Sequence, residues 1–281
     1  MLVTQISAPE TMIPLPATIT VDLDPIILRL GHIALGWYGL AVVLGVGAAV
    51  LVAHREFRRR GLSEDAFWGV VPWSIAGGII GARAFHVIDN WSTYSADPLN
   101  MLAFQKGGLA IGGALLGGIA ATILVAGLRR VPLLDGADAV APGIALGQAL
   151  GRLGCLVTGD ALGSETSLPW GVRYLNPGSM APAEGVAYQP VFAYEALWDL
   201  ALFALLWMLR RRIKRPGGLL AIYLGLYAVG KFSVTFLRDE NRWLMGLQEA
   251  HLVALVLAGV AVAVWVSATA GTRKAERAAA V

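Results

Sequence analysis

The chain has 281 residues, 57% of them hydrophobic and 15% charged, with a formal net charge of +3 and a mean hydropathy of +0.65. That balance excludes an ordinary water-soluble domain, and with its apolar residues in long runs it predicts an all-α, polytopic membrane protein. A single cysteine, Cys155, excludes an intramolecular disulfide and any multi-cysteine metal site.

Residues 1–30 hold no basic segment followed by an apolar core, so no cleaved signal peptide is expected and the first span does the targeting. Residues 33–53, 107–128 and 252–272 each contain at least 21 residues without a charge, enough for a helix to cross a ~30 Å hydrocarbon layer. Four further spans, 67–88, 139–159, 190–209 and 216–237, are interrupted by Arg83, Arg152, Glu195, Asp199 and Lys231. Seven spans follow.

Fourteen of the 22 cations fall in HREFRRR at 54–60, Arg129 and Arg130, RRRIKR at 210–215, and the tail residues Arg273, Lys274 and Arg277. Five (Arg29, Lys106, Arg173, Arg238 and Arg242) lie in the opposite loops, and three lie inside spans. The positive-inside rule then predicts an outside N-terminus and a cytoplasmic C-terminus, with 271–281 as a cytoplasmic tail whose Ala-rich end is frayed. The sequence pI of about 9.2 reflects this topology and contact with anionic lipid, not nucleic-acid binding. No soluble domain can be cut out, so 1–281 reads as one integral membrane domain. The longest outside loop, 160–189, is rich in turn formers and reads as ordered turns over the membrane surface.

An ion within a span needs a partner, a wet cavity or a bound charged group. The segment GRLGCLVTGDALG at 151–163 places Arg152 eight residues before Asp160, about two helical turns away if the helix runs on. The alternatives for Arg152 are a buried ion pair locking two helices and a site for an anionic lipid headgroup, whose phosphate a guanidinium fork binds through two N–H groups. Arg83 and Arg238 near span ends carry the same headgroup reading, against a snorkelling role. Glu195 and Asp199 lie four apart on one helical face, and pairing with Lys231 or an arginine is favoured over proton sharing or cation binding. Tyr38 and Tyr194 are headgroup hydrogen-bond candidates or members of an aromatic belt. Gly108 and Gly112, and Gly143, Gly147 and Gly151, recur every four residues, which suits close helix packing and, on two adjacent spans, a cavity wall. The four histidines show no metal-ligand spacing, and Cys155 reads as a packing residue.

The stretches LGHIALGWYGL at 30–40, GARAF at 81–85, GGLAIGG at 107–113, DAVAP at 138–142, GRLGCLVTGDALG at 151–163, PWGV at 169–172, QPVFAYE at 189–195 and KFSVTFLRDE at 231–240 occur in the order of a known family. The chain resembles the prolipoprotein diacylglyceryl transferases as a divergent member, over about residues 24–270. The resemblance implies a cofactor-free integral enzyme of the bacterial inner membrane. Such an enzyme moves the sn-1,2-diacylglyceryl group of phosphatidylglycerol onto the lipobox cysteine of a prolipoprotein signal peptide, the first step of lipoprotein maturation. It implies Arg152, Arg238 and Tyr38 as catalytic residues. It further implies Arg152, Arg83, Asp160, Gly154, Gly159, Tyr194 and Glu195 as substrate-binding residues, with no metal, and gives Asp138 a characteristic position. The chain departs from the family pattern at Gly112 and Gln189, where histidines are common, and at Gly36 and Cys155, which leaves the base for the thiol unassigned. The competing reading is a non-catalytic lipid-binding or transport protein on the same scaffold.

Overall fold

The computed structural model describes residues 18–31, 33–103, 107–238, 242 and 244–279. The targeting expectation for the first residues, Lys106, and the last two residues of KFSVTFLRDE lie outside them. Among the described residues, seven helices are long and apolar enough to span: α1 Trp37–Arg59, α2 Glu64–Asp89, α4 Ile111–Leu128, α5 Leu133–Thr158, α6 Val191–Leu209, α7 Gly218–Thr235 and α8, apolar over Glu249–Ala270. A short α3, Trp91–Ala96, lies between α2 and α4. The backbone of α8 continues to Ala279, so the expected frayed end is helical almost throughout, as its Ala, Lys, Glu and Arg content favours.

The chain is not purely helical. Strands β1 Ile19–Val21, β4 Val172–Tyr174 and β5 Ala187–Tyr188 form one small sheet, with β1 parallel to β4 and β4 antiparallel to β5; β2 Ile26–Leu30 and β3 Ile33–Gly36 form a hairpin. Both precede or follow spans, where the backbone is too short and turn-rich to close a helix. The expected ordered turns of 160–189 thus include a sheet whose Val172 and Tyr174 are buried with Cys155 and Phe192.

Helix α5 is the hub, packed on α1, α6 and α7, while α2 pairs with α4 and α7 with α8. Lipid tails give no hydrophobic drive for helix association, so close backbone approach must supply it. A Cβ on Gly45 would lie 2.6 Å from the carbonyl oxygen of Gly147, and one on Gly147 would lie 2.8 Å from that of Gly45. Gly143 and Gly147 are therefore packing glycines of the α1–α5 seam. The cavity-wall reading fails for them, because α4 and α5, the two glycine-rich spans, are scarcely in contact. At Gly112 and Gly151 nothing lies within 4 Å of an added Cβ. On α4 the packing positions are Gly113 and Gly117, facing Gly77 and Gly81 of α2.

Gly81→Leu is accordingly expected to part α2 from α4, since even a Cβ there would sit 2.9 Å from the Gly117 Cα. A loss of about 1–3 kcal/mol should appear as a lower detergent melting temperature. Gly127→Leu, at a position with open space around it, should leave melting unchanged.

At the end of the bundle away from the sheet, charges are consumed by structure. The buried Glu56 accepts from Arg59 Nε at 2.7 Å and from Arg210 Nε at 3.1 Å. Asp138, fully buried, accepts from the backbone N–H of Gly217 at 3.0 Å and of Leu220 at 2.8 Å, with Arg60 Nη2 at 3.5 Å. It caps the first turn of α7, whose leading N–H groups have no partner within the helix.

Candidate membrane-embedded phosphate site

Three helices of the hub bring ionic side chains to one place near the sheet end. Arg152 lies six residues before the end of α5, Glu195 four residues into α6, and Lys231 four residues before the end of α7. Lys231 Nζ donates to Glu195 Oε1 at 2.8 Å. Arg152 Nη2 stands 2.7 Å from Glu195 Oε2, but that oxygen receives no well-directed hydrogen bond. The contact is therefore an ion pair made off the hydrogen-bond axis. Arg152 keeps 25% of its side chain exposed, whereas Glu195 keeps 7%. One nitrogen of the guanidinium meets the carboxylate, and the fork is not closed by a bidentate partner.

Asp199, one turn further along α6, and Tyr227 of α7 complete the group with Trp198, Gly230 and Val234, around a cavity of about 10 Å³. Tyr223, Tyr227 and Lys231 recur every four residues on α7, and Tyr223 Oη donates to Gln148 of α5 at 2.8 Å. Asp160 does not continue the Arg152 helix. Helix α5 ends at Thr158, and Gly159 takes the left-handed conformation, φ 73°, that stops it. Asp160 accepts instead from Thr158 Oγ1 at 2.6 Å. The ion pair between helices weighed as an alternative for Arg152 is present, with Glu195 as its partner. The pairing of Glu195 with Lys231 and an arginine is as the sequence led one to expect.

The segment after Arg152 is stitched to its neighbours. Gly163 N–H donates to Gln189, Ser164 N–H to Leu237, and Phe192 N–H to Ala161, each at 2.9–3.1 Å. These bonds fix the start of α6 and the end of α7 against the turn that leaves α5. Gly154 is required because its Cβ would lie 2.8 Å from Tyr38 Cα, so Tyr38, half-buried at the start of α1, rests directly on the Arg152 helix. Tyr174 donates to the carbonyl of Leu156 at 2.9 Å. Burial, with Asp160 and Cys155 beside it, pushes its hydroxyl well above the ordinary tyrosine range, so it remains a donor. Tyr194 accepts from Trp170 Nε1 at 2.7 Å, tying the PWGV turn to α6. Cys155 is buried in the cluster under the sheet, as a packing residue would be.

The other two arginines have different surroundings. Arg83 is buried, with its guanidinium committed to backbone carbonyls: Nε to Met101, Nη1 to Gly107 and Gly108, and Nη2 to Asn100 at 2.6 Å and Ala103 at 3.5 Å. All three nitrogens thus hold the backbone at Asn100, Met101 and Ala103 and at Gly107 and Gly108 in place. Gly107 and Gly108 turn there with φ +78° and +80°, and a side chain at Gly108 would strike Arg83 and His86. Arg238 lies beyond the end of α7, where its carbonyl accepts from Gln248 Nε2 at 2.7 Å.

Residues 25–267 match the family model described as prolipoprotein diacylglyceryl transferase. The chain belongs to that family. It is 34% identical over 247 residues to the phosphatidylglycerol--prolipoprotein diacylglyceryl transferase of Clostridioides difficile, covering 87% of this chain and 96% of that protein. It is 36% identical over 251 residues to the enzyme of that name from a Nostoc species, covering 84% and 88%. With the counterpart from Synechococcus elongatus it shares 34% over 251 residues, covering 86% and 87%. Within the family fold, the cation on α7 that reaches the cluster is Lys231. Sequence reasoning gave Lys231 only a pairing role and put the weight on Arg238; the four-residue recurrence of Tyr223, Tyr227 and Lys231 was the available signal.

Proposed function

We propose that this chain is a transferase that moves the sn-1,2-diacylglyceryl group of phosphatidylglycerol to the lipobox cysteine thiol of prolipoproteins, releasing glycerol phosphate. The observation that carries this reading is the convergence of Arg152 and Lys231 on one carboxylate inside the membrane-spanning bundle. Two cations held at that depth suit a phosphodiester, with the partly exposed fork of Arg152 taking its oxygens and Lys231 acting as a point charge. As the ester bond breaks, charge builds on the phosphate, and contacts that tighten with it lower the barrier.

Arg238 and Tyr38 are the further catalytic candidates, and Asp160, Gly154, Gly159, Tyr194 and Glu195 shape the substrate site. Arg83 acts through the loop it holds rather than on the lipid. No cofactor or nucleic acid takes part. The lipid enters from the side, and the signal peptide enters as a helix with its cysteine near the sheet end. The chain works as one membrane domain in the bacterial inner membrane, with its N-terminus outside. A reporter fused after Val281 should therefore be active only on the cytoplasmic side; a signal from the outside would reverse the orientation.

The test is product release. Purified protein in vesicles of phosphatidylglycerol, given a lipobox peptide, should liberate glycerol phosphate, read by phosphorus NMR. A peptide with serine in place of cysteine should liberate none. Release that ignores the cysteine would point to a lipase, and no release from folded protein would favour a lipid carrier.

A further inference from the structure

Asp199 has 3% of its surface exposed, and among the described residues its carboxylate takes part in no hydrogen bond or ion pair. It lines a cavity of about 10 Å³ together with Arg152, Glu195, Trp198, Tyr227, Gly230, Lys231 and Val234, room for roughly one water. A buried carboxylate that accepts no hydrogen bond is costly, and inside a membrane such a group marks a functional position. We propose that Asp199 is the proton acceptor for the attacking thiol and that binding of the lipid phosphate is what equips it for that role. The inference rests on the transferase reading above.

Charge balance carries the argument. The groups that face Asp199 are Arg152 from α5, Glu195 from its own helix, and Tyr227, Tyr223 and Lys231 from α7. With both carboxylates ionised, two cations and two anions cancel. A phosphodiester brought to Arg152 and Lys231 leaves the group at −1, which raises the proton affinity of its carboxylates toward that of a thiol, so that a thiol entering the site can hand over its proton and restore neutrality. Glu195 is held by both cations, so the proton goes to the carboxylate that has no such contact.

Position agrees. Asp199 lies four residues, about 6 Å, further along α6 from the sheet end than Glu195. A phospholipid whose phosphate sits at the Arg152 level places C3 of its glyceryl unit on that same deeper side, toward its acyl chains. The step balances: the S–H bond breaks and its proton passes to Asp199, directly or through the one water. The sulfur forms a bond to C3 as the C3–O bond to phosphorus breaks, and glycerol phosphate leaves with that electron pair. Asp199 then returns its proton to the departing phosphate or to water. None of the described histidines lines the cavity. His54 meets Glu64 at 3.1 Å, His86 lies against Gly108, and His251 is packed on Phe232 and Phe236.

The test uses full-length protein in nanodiscs and follows three readings for the parent, Asp199→Asn and Asp199→Glu. Adding phosphatidylglycerol without peptide to weakly buffered parent at neutral pH should take up a fraction of one proton per chain, leaving the remaining molecules with Asp199 ionised and ready for the thiol, and Asp199→Asn should take up none. With a cysteine peptide, Asp199→Asn should lose on the order of 10²-fold or more in turnover while keeping lipid binding within a few fold. Asp199→Glu should retain turnover with a displaced acid limb in its pH profile. Parent turnover and pH profile persisting in Asp199→Asn would overturn the proposal while leaving the transferase reading intact. If Asp199→Asn does not accumulate as folded protein, the parent decides, since lipid binding without proton uptake overturns it equally. A parent that releases no glycerol phosphate would sink the transferase reading instead.

Discussion

Arg152→Lys is expected to lower kcat/KM by on the order of 10²-fold or more while leaving the detergent melting temperature close to that of the parent. Lysine at this position can still neutralise Glu195, which Lys231 also holds at 2.8 Å, so the helix pairing of α5 with α6 survives. What is lost is the planar fork, and a second point charge beside Lys231 cannot replace two directed N–H groups on phosphate. Arg152→Ala should differ in kind. It strips Glu195 of one of its two cations inside the bundle and should also reduce stability, by about 1–3 kcal/mol. Lys231→Ala should weaken turnover too, and the double variant Arg152→Lys with Lys231→Ala should lose less than the product of the two single losses, because both cations act on one group. Turnover surviving in Arg152→Lys, or falling only in step with the amount of folded protein, would make the arginine structural.

Asp138→Ala should give the largest stability loss in the molecule, about 3–5 kcal/mol, with little left to assay at ordinary temperature. It removes the acceptor for two N–H groups at the start of α7 and the charge facing Arg60, all in a place with no water to substitute. Asp138→Asn keeps one carbonyl oxygen and should recover part of that loss. Its amide group must turn an N–H toward one backbone donor, so recovery stays incomplete. Thermal melting followed by tryptophan fluorescence checks both variants. Near-parental melting of Asp138→Ala would mean that the α7 cap contributes little, and the position would then need a functional explanation.

The spans were legible because a bilayer imposes a simple rule of length and apolarity, and residues such as the charge-free runs of α1, α4 and α8 obey it. Their pairing was harder to read. Gly143 and Gly147 gave a correct periodic signal for close packing, but periodicity names a face and not the partner, and the partner is α1 rather than α4. On α4 the packing face is Gly113 and Gly117, one residue away from the glycine that the motif comparison singled out. The strands escaped notice because β1, β4 and β5 are two or three residues long, too short for an alternating pattern.

The site was half-readable for a similar reason. Arg152 and Glu195 stood out as charges within apolar runs, and their mutual contact followed from the cost of leaving either alone. The break at Gly159 did not, since a glycine within a glycine-rich helix gives no sign that it adopts a positive φ. It turned Asp160 away toward Thr158. Arg83 was chemically conspicuous but its partners are backbone carbonyls of a loop, which no pattern of side chains reveals. Lys231 was read only as a pairing partner, although its spacing from Tyr227 and Tyr223 put it on the face that α7 turns to the hub.

The proposed function requires that a carbon–sulfur bond form between a cysteine and the glyceryl unit at the Arg152–Glu195–Lys231 cluster. Intact-mass analysis of a lipobox peptide after incubation with purified protein and phosphatidylglycerol of one acyl composition tests it most directly. The expected result is a gain equal to one diacylglyceryl group on the cysteine, stable to neutral hydroxylamine as a thioether must be, and nearly absent with Arg152→Lys. An unmodified peptide in the presence of folded, lipid-binding protein, or an adduct that hydroxylamine removes, would contradict it.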